Sequence, residues 1–226
     1  AFATANESHP QLFKSFANHI VGLNNLGEFN AQGLSNLVWA YATAKESHHS
    51  LFQKVANHII SLDNLDAFHP QALANIVWAC AISKESQPRL FKKVAEAAIK
   101  RQNEFNSQEI ANVLLACASN GQIDQHLFSS LEPTLRTLVS KFNSQDLTNI
   151  AWAYAVANVA APSLFNESFI QICLENENDF KLEALVQLHQ WQLWQEELKS
   201  NIRLPLSCEK KCYEAFVSTV PSPSAL

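Results

Sequence analysis

An all-α fold, an α-solenoid of stacked helical hairpins with repeats of about 38 residues, is what this sequence predicts, and three observations carry the prediction. One line is written four times: FNAQGLSNLVWAYA from Phe29, FHPQALANIVWACA from Phe68, FNSQEIANVLLACA from Phe105 and FNSQDLTNIAWAYA from Phe142. The opening Phe of each, together with Phe180, gives spacings of 39, 37, 37 and 38 residues. A second block keeps the same step, because Leu51-Phe52, Leu90-Phe91, Leu127-Phe128 and Leu164-Phe165 follow 22 and 23 residues after each opening Phe. With only 4 Gly in 226 residues and an abundance of Ala, Leu, Asn and Gln, the composition leans helical.

The first unit is partial and covers residues 1–28, where AFATANESHPQLF matches the later AYATAKESHHSLF and Leu12-Phe13 takes the Leu-Phe place. Full repeats start at 29, 68, 105 and 142 and run to residue 179. Each opens with a readable start for its first helix, A. In the last repeat Phe142 sits at N′, Asn143 at the N-cap, Asp146 at N3 and Leu147 at N4. The Asn oxygen accepts from a free first-turn amide, the carboxylate answers it, and Phe against Leu makes a hydrophobic staple. Asn106, Glu109 and Ile110 repeat the pattern, while His69 is followed by Pro70 at N1, where a missing N–H costs nothing. Helix A then spans about 14 residues. A second helix, B, begins around Pro10, Pro88 and Pro162. It carries apolar residues at i, i+3, i+4 and i+7, as in Leu51, Phe52, Val55, Ile59 and Leu62. One such hairpin cannot bury its apolar face alone, and stacking supplies the rest of the core.

Residues 180–220 depart from the line and read as a closing helical pair, a C-terminal cap preceding a further domain. Leu182, Leu185, Leu188, Trp191 and Leu198 mark a long helix, Leu204-Pro205-Leu206 breaks it, and another helix runs from about Ser207 to Ser218. PSPSAL at 221–226 reads as a linker. The chain has no Met and opens partway through its own pattern, so a piece of a longer protein is expected.

Composition narrows function. No apolar run approaches the roughly 20 residues that span a bilayer, and the start lacks the basic and apolar regions of a signal peptide, so no membrane partner is expected. Cys80 and Cys117 take the repeat position held elsewhere by Tyr41 and Tyr154, which suits small buried hydrophobes better than disulfides. Cys208 and Cys212, four apart, lack further ligands nearby. No GxxxxGK, HExxH, GxSxG or paired CxxC occurs. Neither an enzyme nor a metal or small-molecule cofactor is expected. His19 and His58 are repeat equivalents on B helices, His48-His49 falls in an interhelix turn, and ENEND at 175–179 reads as a solvated loop. Lys45 and Lys84 close two A helices, where a cation suits the dipole. Lys54, Lys92, Lys93, Lys100 and Arg101 read as an ordinary solvated face of the B helices. The net charge of −5 argues against non-specific phosphate binding.

On helix A, at about 100° per residue, Leu34, Leu37, Val38 and Tyr41 form a core stripe, and Gln32, Asn36 and Thr43 fall opposite. The same places hold Gln71, Asn75 and Ile82, then Gln108, Asn112 and Ser119, then Gln145, Asn149 and Val156. The Gln and Asn never change between copies. Two readings fit. The amides form a ladder tying neighbouring helices, or they line a concave face and meet a ligand, where groups that both donate and accept suit base edges and sugar hydroxyls. The varying places, Thr43, Ile82, Ser119 and Val156 in one set and Gly33, Ala72, Glu109 and Asp146 in another, either tune the preference of each unit or are neutral. Trp39, Trp78 and Trp152 read as packing residues between helices.

The line FNxQxLxNxxWAxA at this spacing resembles the octotricopeptide-repeat proteins of algal and protist organelles. LVQLHQWQLWQEE followed by LPLSCEKKCYEAF is similar to the helical segment that precedes a RAP domain in such proteins, and the chain stops at Leu226, before such a domain begins. The resemblance implies an α-solenoid that binds single-stranded RNA in a chloroplast or mitochondrion, in transcript stability, processing, splicing or translation, with protein partners as a second class. The competing expectation is an armadillo-like scaffold whose Asn series grips an extended, basic peptide.

Overall fold

The computed structural model describes residues 9–46 and 48–220. The first eight residues, where the sequence places the start of the partial unit, and residues 221–226, read above as a linker, lie outside the described residues. Eleven α-helices and no strand occur among the described residues, in the repeated array of an α-solenoid. In chain order they are α1 (Pro10–Gly22), α2 (Ala31–Thr43), α3 (His49–Ser61), α4 (Pro70–Ile82), α5 (Pro88–Lys100), α6 (Ser107–Ser119), α7 (Gln125–Leu138), α8 (Ser144–Ala157), α9 (Glu167–Glu175), α10 (Leu182–Glu197) and α11 (Leu206–Thr219). None is long and apolar enough to cross a membrane.

The chain forms two compact units, Ala1–Phe105 with Ala116–Asp124, and Asn106–Leu115 with Gln125–Leu226. In the first, α2 packs along α4 to make a layer of A helices, and α1, α3 and α5 stack as a layer of B helices behind them. The core stripe lies where the sequence puts it: Leu34, Leu37, Val38 and Tyr41 are buried on α2, and Leu51, Phe52, Val55 and Ile59 on α3. In the second unit α8 packs along α10, and α10 closes a hairpin with α11. Phe165, Phe169, Trp191 and Trp194 form its aromatic centre, with Phe165 and Phe169 edge to face at 5.1 Å.

Helix starts follow local rules. Asn30 accepts from Gly33 N at 2.7 Å. Reciprocal boxes form at Asn106 and Glu109, both bonds 2.9 Å, and at Asn143 and Asp146, 2.8 and 3.4 Å. Glu109 and Asp146 are therefore held by their own helix starts, and Asp146 is buried. At α4, Pro70 stands at N1 and His69 makes no side-chain cap. Helix ends follow a rule the sequence hides. Lys45, Lys84, Gly121, Asn158 and Lys199 all adopt the left-handed conformation, with φ of 56°, 55°, 67°, 52° and 54°. The next N–H then reaches back across the last turn, as from Glu46 to Tyr41 O at 3.0 Å and from Glu85 to Cys80 O at 2.8 Å. For a lysine this conformation costs about 1–2 kcal/mol, more than the roughly 0.3–1 kcal/mol a cation gains at a helix C-terminus.

Three departures have physical causes. The B helix of the last repeat does not begin at Pro162, which lies in a turn; it begins at Glu167, where Asn166 accepts from Ser168 N and Phe169 N at 2.9 and 3.3 Å. The lysines of the B helices are not all solvated: Lys54 Nζ donates to the carbonyls of Val21 and Leu23, and Lys93 Nζ to those of Ile60 and Leu62. Arg101 likewise donates to Leu65 O and Phe68 O at 3.0 and 2.9 Å. Lys54 and Lys93 thus close the end of the B helix one repeat earlier, supplying donors to its last carbonyls, and Arg101 ties down the loop between α3 and α4. Finally, Glu177 of the acidic run accepts from Ser207 Oγ at 2.9 Å and pairs with Lys211, pinning α11 to the loop before α10. The Lys211 ammonium holds the Glu177 carboxyl below its ordinary range.

All five cysteines are free and buried. Burial pushes the thiols of Cys80 and Cys117 up to about 12, so they act as the small hydrophobes expected.

Candidate functional site

The amide strip begins at the first turns of the A helices, two residues beyond the cap position, where Asn30, Asn106 and Asn143 cap α2, α6 and α8 and Pro70 opens α4. Gln32, Gln71, Gln108 and Gln145 are all exposed. One turn later the Asn series is graded: Asn36 is exposed, Asn75 and Asn112 are half-buried, and Asn149 is only 4% exposed. The strip is therefore open at its Gln places and progressively closed at its Asn places.

Between α2 and α4 lies a cleft of about 290 Å³, lined by Gln32, Ser35, Asn36, His69, Gln71 and Asn75. Four of the candidate residues meet there. In the second unit a cleft of about 340 Å³ between α8 and α10 is lined by Gln145, Thr148, Asn149, Lys181, Glu183 and Gln187. These are the same register positions, counted from Phe29 and Phe68 in one case and from Phe142 and Phe180 in the other. Ser35 and Thr148 are buried beneath both. The two clefts are thus built from equivalent positions of different repeats. Both sit near the small end of ligand sites, about 300 Å³.

The clefts differ in chemistry. The first is neutral amide with one imidazole. The second replaces His69 by Lys181, Gln71 by Glu183 and Asn75 by Gln187, and adds Asp179. Lys181, Glu183 and Gln187 escape a reading that takes residues 180–220 as a closing pair. Counting three and seven places on from Phe180 finds Glu183 and Gln187.

At the α8–α10 seam the amides do bridge: Gln187 Nε2 donates to Asn149 Oδ1 at 3.4 Å, and Trp152 Nε1 donates to Gln190 Oε1 at 2.6 Å. The ladder reading holds at this step. Trp39, Trp78 and Trp152 are all half-buried, which fits packing between helices. The varying places at the far ends of the A helices are not part of either cleft. Ile82 is 54% exposed, Ser119 and Val156 are exposed, and Thr43 is half-buried with its Oγ1 turned inward. Beside the second cleft, burial raises the Asp146 carboxyl above its ordinary value, while bonds from Ser107 and the Asn143 amide pull it back.

No curated protein matches the chain. A family model described as the RNA-editing substrate-binding complex 6 protein matches residues 1–198, all of the helical array through α10. By that match the chain belongs to the RNA-editing substrate-binding complex 6 protein family.

Proposed function

We propose that this chain is a non-catalytic, single-stranded-RNA-binding helical-repeat protein of organellar RNA metabolism, working with protein partners in an RNA-editing substrate-binding assembly. The observation that carries the reading is the recurrence of one amide-lined cleft at the same register in both units. The family supports RNA as the polymer. The likeness to octotricopeptide-repeat proteins belongs to the same reading, as does placement in a chloroplast or mitochondrion. Gln32, Asn36, Gln71 and Asn75 would meet base edges in the first cleft, and Gln145, Glu183 and Lys181 in the second, with roughly one base per repeat.

Binding of labelled single-stranded RNA, selected in vitro on the whole chain, tests this. Gln71→Ala with Asn75→Ala removes neutral hydrogen bonds of about 0.5–1.5 kcal/mol each, so affinity should fall about tenfold while the melting temperature stays within a few degrees. A peptide scaffold, which the net charge of −5 favours, predicts instead that the chain enriches no RNA and retains a lysine-rich peptide. A double variant that melts early at unchanged affinity would assign these amides to the ladder.

A further inference from the structure

We propose that Lys45 and Lys84 hold the phosphates of the bound strand, so that its backbone crosses the C-terminal ends of α2 and α4 while its bases enter the cleft nearer their N-termini. This deepens the RNA reading above and rests on it. Three observations lead there. The first is conformational. Both lysines occupy the left-handed region, where an L side chain is strained and glycine is the usual occupant. The chain fills the same register with Gly121 after α6 and Asn158 after α8, so the fold itself does not call for lysine at this turn. Strain kept where an unstrained alternative exists points to a use outside the fold.

The second is availability. Lys54, Lys93 and Arg101 lie half-buried with their charged ends on backbone carbonyls. Lys45 and Lys84 are exposed, and among the described residues neither ammonium pairs with a carboxylate or a carbonyl. They are the cations of the A-helix side of this unit that remain available to an anion.

The third is placement. Each lysine lies two residues beyond a varying place, Thr43 or Ile82, and nine beyond the cleft amide, Asn36 or Asn75. Nine residues are about 13 Å of helix, a distance that a flexible lysine stem shortens. Because α2 and α4 pack side by side, the two ammonium groups stand one per A helix, in step with one cleft amide per A helix. Amides then read and lysines position, the division of labour between base and phosphate contacts seen generally in nucleic-acid recognition.

The test is the double variant Lys45→Gly with Lys84→Gly, which installs the residue the chain already uses at Gly121. Relief of strain should leave its melting temperature equal to or above that of the parent, so a loss of binding cannot be a loss of fold. With a labelled single-stranded RNA selected on the parent chain, affinity in 0.1 M salt should fall on the order of tenfold, and the slope of log affinity against log salt should become shallower by about 1.4, which is 0.7 for each of two phosphates. Lys45→Arg with Lys84→Arg should keep the parent slope. If the parent binds RNA and the glycine variant keeps both slope and affinity, this assignment is wrong and the amide reading stands. If the parent enriches no RNA at all, both fall together.

Discussion

Lys93 and Lys92 are neighbours in sequence and opposites in role. Lys92 is exposed, whereas Lys93 is half-buried and donates to Ile60 O and Leu62 O at the end of α3. Hydrogen bonds to a charged group contribute roughly 1.5–3 kcal/mol, and partial exposure discounts that. Lys93→Met should therefore cost about 1–2 kcal/mol in urea unfolding, and Lys92→Met less than about 0.5; equal effects would return Lys93 to the solvated face. A second residue-scale contrast concerns the Tyr place. Tyr41 OH donates to Phe13 O at 2.6 Å and Tyr154 OH to Phe128 O at 2.8 Å, each ring edge-on to that Phe at 5.0 and 5.1 Å. Cys117 takes this place beside Phe91, where a cleft of about 300 Å³ remains. Cys117→Tyr should restore the edge contact and the bond to Phe91 O, raising stability by about 1 kcal/mol. A drop of similar size would mean that the site is already full.

At the scale of the element, Asp146 shows how a cap carries a pH signature. Its carboxyl is raised above 3.8, chiefly by burial. The folded chain therefore holds this proton more tightly than the unfolded chain does. Its contribution to stability is smallest when the group is ionised, grows as pH falls through the folded value, and is complete near the unfolded value of about 3.9. Asp146→Asn keeps an acceptor for the Asn143 amide and removes the proton. Its stability relative to the parent should therefore be higher at pH of about 7 than at about 4, checked by urea midpoints at both; a constant difference would deny that the group is raised. The caps themselves were legible because capping is local: Asn143 and Asp146 are three residues apart, and their geometry follows from the first turn. The apolar stripes were legible for the same reason. What Lys54, Lys93 and Arg101 do was not, because it depends on where a helix end or a loop some 30 residues earlier lies. The left-handed turn at Lys45 and Lys84 was hidden because lysine is not the residue that marks it. The candidate site divides along the same line. That Gln32, Gln71, Gln108 and Gln145 stand outward follows from helical phase, which the sequence contains. That Asn36 is open and Asn149 is shut depends on the neighbouring helix, and in the second case Gln187 on α10 closes it.

For the whole molecule, the question is how a chain of net charge −5 holds a polyanion. Of its 16 Lys and Arg, Lys54 and Lys93 already cap helix ends, Arg101 holds the loop before α4 and Lys211 pairs with Glu177. Lysines that take the strained turn beyond an A helix are Lys45, Lys84 and Lys199. If those three supply the phosphate contacts, the salt slope of the entire chain on single-stranded RNA should be about −2, at 0.7 per phosphate. Such a small electrostatic share leaves affinity to the clefts, and a random-sequence pool should bind weakly, since only base contacts distinguish one sequence from another. Titrating a random pool and a selected RNA between about 50 and 200 mM salt separates the alternatives. The selected strand should bind far more tightly than the pool, with nearly the same shallow slope for both. A slope near −5, or tight binding of the pool, would mean that a basic surface elsewhere carries the strand. The repeated amides would then be ordering the helices against one another rather than meeting bases.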